Sequence, residues 1–345
     1  MKIFTTTFTV LLFALQFQLR SEVEVNKAML ALFAPLGEAP ENPENPMTEA
    51  KIELGRMLYY DTRLSMDRSV SCNTCHDLAS FGDDGRNVSQ GIHGQEGGRS
   101  APTVFNAALH IAQFWDGRAK DVEEQAVGPV TNPIEMGMPD PDYVLKVLNS
   151  IPGYVELFAE AFPEEEEPLT FVNMGKAIGA FERNLLTPGR FDDYLNGDDS
   201  ALTDPEKEGL NLFLTSGCAT CHNGAAVGGQ MFQKLGLVKE WPTEDKGRYE
   251  ATNVETDMYF FKVPSLRNIT ETGPYLHDGS IETLEEMVSK MAEYQLGRIL
   301  SDEETSKIVT FLGALTGEVD EEYIKIPELP EDGPNTPKPK TVAGQ

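Results

Sequence analysis

Cys72-Asn73-Thr74-Cys75-His76 and Cys218-Ala219-Thr220-Cys221-His222 decide how the rest of the chain is read. These two pentapeptides use all four cysteines of the protein. Four Cys in an exported chain are compatible with disulfides, two Cys pairs with zinc, and a lone C-x-x-C with thiol redox exchange. None of those chemistries requires a histidine directly after each pair. Covalent haem attachment does: two sulfurs bond the porphyrin edge, and the adjacent imidazole is held beneath the iron as its proximal ligand. The motifs therefore predict two covalently bound c-type haems, attached through Cys72, Cys75, Cys218 and Cys221, with His76 and His222 as proximal ligands.

Working outward, the two motifs have similar surroundings. Glu53-Leu54-Gly55-Arg56-Met57-Leu58-Tyr59-Tyr60 precedes the first, and Glu206 to Phe213 (EKEGLNLF) precedes the second. Both have apolar residues at helical spacing, and Thr203-Asp204-Pro205 supplies a cap and an early proline for the second. Each half closes on another helical pattern. Met174 to Leu186 is stopped by Pro188 and Gly189, and Asp302 to Leu315 starts at Ser301, which forms a capping box with Glu304. The chain thus reads as a duplicated plan of helix, haem motif, loops and closing helix. The expected fold class is mainly α: two cytochrome c-like domains with long loops, each enclosing one covalent c-type haem.

The expected units are residues 22–190 and 191–325, with the boundary in the Gly- and Asp-rich stretch Arg190 to Leu202. A Pro-rich tail, 326–345, is expected to be extended or partly disordered. Residues 1–21 read as an export signal, with Lys2 ahead of the apolar run Phe8 to Leu15, although no clean A-x-A precedes Arg20. That run is too short to span a bilayer, which takes about 20 apolar residues. The expectation is an exported protein without stable membrane insertion, periplasmic in a Gram-negative cell.

With 345 residues, 40% hydrophobic and 24% charged, the composition is that of a globular chain of roughly two domains. Its 28 basic and 56 acidic residues give a net charge of −28, which argues against nucleic acid and for a small basic partner. Thirty Gly and 22 Pro favour long loops around a cofactor over regular sheet. What lies opposite each proximal histidine decides the chemistry: a firm Met or His makes an electron carrier, and a displaceable ligand admits substrate. His93, His110, His277 and the twelve Met are all open as ligands on composition alone.

Several runs carry a resemblance to the bacterial dihaem cytochrome c peroxidase family. They are Arg99-Ser100-Ala101-Pro102-Thr103-Val104-Phe105-Asn106, Gln113-Phe114-Trp115-Asp116-Gly117-Arg118, Asn132-Pro133-Ile134-Glu135-Met136, Cys218 to Gly229, Phe261 to Asn268, and Pro274 to Gly279. The similarity extends from about Leu54 to Glu318 and implies an N-terminal peroxidatic haem and a C-terminal electron-transfer haem. At the first, His93 matches the displaceable distal ligand, Glu135 the acid–base residue of peroxide cleavage and Gln125 a neighbouring polar residue. Trp115 matches an aromatic between the haems. At the second, Met291 matches the distal thioether, with Met287 as its rival on the same helical stripe.

The resemblance further implies calcium at Ser100, where the family has Asn, and at the carbonyls of Thr272 and Pro274. It implies a homodimer that reduces hydrogen peroxide with electrons from a small c-type cytochrome or a copper protein (cupredoxin). One alternative is the related dihaem enzyme that oxidises Tyr or Trp of a partner protein during quinone-cofactor maturation. That class has Tyr in place of Met291, and Tyr294 lies one turn on. A non-catalytic dihaem electron carrier is the other alternative.

Overall fold

In each half the fold is built on a helix crossing that only glycine allows. The computed structural model describes residues 23–340; the expected export signal lies outside them. In the first half, an opening helix Glu49–Tyr60 crosses a closing helix Phe171–Arg183. A Cβ on Gly55 would stand 1.9 Å from the Ala177 carbonyl oxygen, so any side chain there would force the helices apart. In the second half, the opening helix Asp204–Ser216 crosses the closing helix Asp302–Gly313 at Gly209, where a Cβ would meet the Lys307 carbonyl at 2.0 Å. Phe181 and Phe311 occupy matching places beside these glycines. The repeat expected from the motif surroundings is thus a repeat of packing.

Local signals set where these helices begin. Thr48 and Thr170 cap the first pair by accepting the backbone N–H groups of Lys51 and Asn173. The first closing helix therefore starts a turn before the expected Met174. Ser301 and Glu304 form the expected capping box, and Thr203 forms one with Glu206. The boundary stretch contains a short helix, Arg190–Leu195.

Two hydrophobic cores result. The first joins Leu54, Leu58, Tyr59, Ile178 and Phe181 with Tyr154 and Phe158 from the added helix Pro152–Ala161. The second joins Leu210, Phe213, Ile308, Phe311 and Leu312. The chain ends cross over between them. Val25 and Phe33 pack in the second core, whereas Tyr323 stacks on Phe181 of the first with ring centroids 5.1 Å apart. The expected limits at 22 and 325 therefore do not follow the packing at the ends. As far as Lys340 the tail is extended and docked: Arg63 donates to the Pro330 carbonyl at 2.7 Å, and Lys340 N–H to Met66 O at 2.9 Å.

Thr187 joins the halves. Its buried Oγ1 accepts from Asn106 Nδ2 at 2.8 Å and from Asn268 Nδ2 at 2.9 Å. These asparagines occupy equivalent places in the two repeats, and both are left-handed, with φ of 62° and 61°. Sheet is minor: Phe232–Lys234 pairs antiparallel with Phe260–Lys262. Among the described residues, no helix is long and apolar enough to cross a membrane.

Candidate active site

Each C-x-x-C-H run is wound into about one helical turn, which carries both thiols and the histidine into the protein. Ser71 starts the first turn through a bond from its N–H to Thr74 Oγ1 at 2.9 Å. Tyr59 OH holds the carbonyl of His76 at 2.7 Å. The second turn, Cys218–Thr220, follows directly on Gly217, which ends the opening helix in the left-handed conformation.

Nδ1 of His76 and Nδ1 of His222 are both buried without a hydrogen bond of good geometry. Burial lowers the pKa of His76, opposed by Asp84 and the nearby carbonyls of Pro102 and Gly82. Burial takes His222 down to about 4, opposed by the carbonyls of Pro264 and Val227. Pro102 and Pro264 are again equivalent positions, in Ala101-Pro102-Thr103 and Val263-Pro264-Ser265. Both imidazoles are thus held neutral, the form that binds a metal.

None of the four cysteines is in a disulfide. Burial pushes the thiols of Cys75 and Cys218 up to about 11, and those of Cys72 and Cys221 up as well. A redox dithiol needs a thiolate, which these surroundings oppose.

Beside the second motif lies a large, mainly apolar cavity. Cys218, Cys221 and His222 form one wall; Leu284, Met287, Val288 and Met291, from the helix Leu284–Leu296, form another. Two thiols, a neutral buried histidine and thioethers across an apolar space fit a haem with His and Met ligands. Met291 and Met287 both line the cavity. Tyr294 does not: its ring packs on Trp241 with centroids 4.7 Å apart, beneath Lys239.

The wall toward the first half brings together Trp115, Ser100, Thr272 and Pro274. Trp115 Nε1 donates to Ser100 O at 2.9 Å, and Ser100 N to His277 O at 2.8 Å. His277 is buried between the rings of Trp115 and Phe261, which suits an organising role.

At the first motif, two segments lock together. Ile92 N donates to Glu135 O at 2.8 Å, and Gln95 Nε2 to Pro133 O at 3.1 Å. A Cβ on Gly91 would stand 2.1 Å from Ile134 O, so glycine is required for this contact. The His93 loop therefore rides on the turn that carries Glu135. Burial raises the Glu135 pKa, with Arg118 and a bond from Asn132 opposing it. Its charge reaches Cys75 and helps raise that thiol. Arg118 itself lies over the Phe114 ring at 3.4 Å.

His93 is exposed, with φ of 58°, and borders a polar groove with Asp67, Thr74, Arg86 and Gln90. Gln125 is half-buried on the helix Val122–Thr131. Sequence reasoning missed Asp67, which holds His93, and Lys262, which is buried at the junction of the halves. It also missed an apolar patch of Leu237, Val238 and Ile299 at the end of the Met291 helix. Spatial proximity alone reveals these.

The model of the family described as di-haem cytochrome c peroxidase matches residues 49–200. The cytochrome c551 peroxidase of Pseudomonas aeruginosa is 44% identical over 316 residues, covering 90% of each chain. That of Nitrosomonas europaea is 45% identical, covering 89% of this chain and 94% of its own. The methylamine utilization protein MauG of Methylorubrum extorquens is 34% identical, covering 88% of each. The crystal structure of a MauG-like protein associated with microbial copper homeostasis superposes with a TM-score of 0.76 at 30% identity, covering 85% of this chain and 97% of that one. The chain belongs to the di-haem cytochrome c peroxidase family. It is an oxidoreductase of the peroxidase class, and its family implies two haems.

Proposed function

We propose that the protein reduces hydrogen peroxide to water with two electrons from a small c-type cytochrome or cupredoxin, and that each C-x-x-C-H motif binds one haem covalently. The carrying observation is the asymmetry between two otherwise repeated sites. One histidine shares an apolar cavity with Met291 and Met287, whereas the other belongs to a half whose Gly91–Gly94 loop is bonded to the Glu135 turn and borders a polar groove. Haem supplies redox chemistry and peroxide binding at iron; the chain supplies everything that tells the two sites apart.

At the first site, His76 and His93 would hold the haem iron, His93 as the ligand that gives way to peroxide. Glu135, ionised above its raised pKa, takes a proton from peroxide at the near oxygen and returns it to the departing oxygen. Gln125 provides a polar neighbour on the same side. At the second site, His222 and Met291 would hold the iron, and the thioether would favour its reduced state. Trp115, on the wall between the halves, lies on the electron path. Ser100 and the carbonyls of Thr272 and Pro274, residues that all line that cavity, would supply the oxygen ligands a hard calcium ion needs.

The donor docks near the second haem, where Leu237, Val238 and Ile299 expose an apolar patch beside the cavity. The position of Tyr294 outside the cavity favours peroxide reduction over the oxidation of a partner protein's aromatic residues. We assign the protein to the periplasm because residues 1–21 read as an export signal, and to a homodimer by likeness to the family.

The test is peroxide-dependent oxidation of a reduced c-type cytochrome by the protein pre-loaded with one electron. Saturable turnover is expected. Two intact haems without turnover would point instead to a maturation enzyme or an electron carrier.

A further inference from the structure

Lys262 is 5% exposed, and its Nζ sits among groups that do not neutralise it. It donates to the Ala112 carbonyl at 2.9 Å and lies 3.1 Å from His110 Nδ1. Among the described residues, no carboxylate forms an ion pair with it. Asp116 is felt there, but its carboxylate is taken by Arg99 at 2.6 Å and by Arg118 at 2.9 Å. An ammonium has three N–H donors, and two are used.

His110 compounds the problem. If Nδ1 accepts from Lys262, the ring proton must sit on Nε2. That atom is buried and has no partner. Gly229, whose Cβ would stand 2.1 Å from His110 Cδ2, seats the ring tightly across the junction of the halves. Two donors are thus left without an acceptor, and one of them carries charge. Leaving such groups unpaired is costly, so a native arrangement supplies an anion.

Both residues line the cavity that holds His222, Met291 and Trp115. Lys262 lies two residues before Pro264, as Ser100 lies two before Pro102. These equivalent positions of the repeat, Ser100 and Lys262, both line that one cavity.

We infer that Lys262, backed by His110, is the carboxylate-binding group of the second cavity and receives an ionised propionate of the haem bound there. This rests on the proposed attachment of haem at Cys218 and Cys221. The missing acceptor is then a carboxylate with two oxygens, and the ammonium gains its counter-charge. A cation so placed also stabilises the reduced iron, which carries one positive charge fewer.

The test is the midpoint potential of the second haem in the purified holoenzyme, by redox titration, for wild type, Lys262→Met, Lys262→Arg and His110→Phe. Lys262→Met is expected to lower the potential, Lys262→Arg to stay near wild type, and His110→Phe to fall between. A Lys262→Met protein that melts earlier but keeps the wild-type potential would overturn the inference and leave Lys262 a structural residue. Should Lys262→Met not fold, an unchanged potential in His110→Phe would overturn it equally. A wild-type mass showing haem on the first motif alone would refute the attachment reading itself, and this inference with it.

Discussion

Asp67 holds His93 at two points: its Oδ2 lies 3.2 Å from Nδ1 of the ring and 3.3 Å from the backbone nitrogen. Burial raises the Asp67 pKa, but bonds from Ser69 and His93 outweigh it and hold the carboxyl below its usual range. A carboxylate on Nδ1 leaves Nε2 as the ring's free nitrogen, as in many metal-ligating histidines. His93→Gly is expected to react with peroxide without pre-reduction. A persisting need for pre-reduction, in stopped-flow mixing of the oxidised protein with peroxide, would reject His93 as the gate.

Glu135→Gln keeps the shape of the side chain and removes the base. General acid–base catalysis contributes typically 10²–10⁴-fold, so turnover is expected to drop by about that factor with both haems retained. Because burial raises the Glu135 pKa, wild-type activity is expected to fail on acidification above the ordinary carboxylate range. A pH–rate profile of the Gln variant lacking that acid limb would assign it.

Met291→Leu removes the thioether that the resemblance selects, and Met287→Leu removes its rival. Only the first is expected to abolish the near-infrared thioether-to-iron band and lower the potential of the second haem. The reverse result would move the ligand by one turn of the same helix.

Gly209→Ala would drive a Cβ to within 2.0 Å of the Lys307 carbonyl, in a helix pair that cannot part without opening the second core. A loss of about 3 kcal/mol is expected in urea unfolding. Gly55→Ala should do the same in the first half, whereas an Ala at Gly313, which meets nothing within 4 Å, should be tolerated.

Glu182 lies buried on the first closing helix, beside Glu123 and Arg183. Burial, reinforced by Glu123 and opposed by Arg183, pushes its carboxyl from 4.5 up to about 8. The folded state therefore keeps a proton that the unfolded chain releases. This contribution is full below about pH 4.5 and is lost as pH rises toward 8. Glu182→Gln is expected to flatten that dependence and to be more stable at pH 7 by on the order of 3 kcal/mol. Unfolding free energies measured from pH 5 to 8 would show whether the slope disappears.

The sequence by itself determined the local parts. Two C-x-x-C-H runs name their own chemistry, because three reactive groups must lie within one turn of chain. Caps at Ser301 and Thr203 were legible because capping is settled within four residues. The duplication was legible from repeated spacing.

Only the tertiary structure decided what these parts face. It put Tyr294 outside the cavity and Met291 on its wall, although they are only three positions apart. It brought Asp67 to His93 across 26 positions and Lys262 to His110 across 152, and it docked the tail on the opposite half. No pattern in the chain encodes such pairs. They arise when helices that only Gly55 and Gly209 allow to touch bring distant loops together, and when buried charge must find a partner wherever packing has left one.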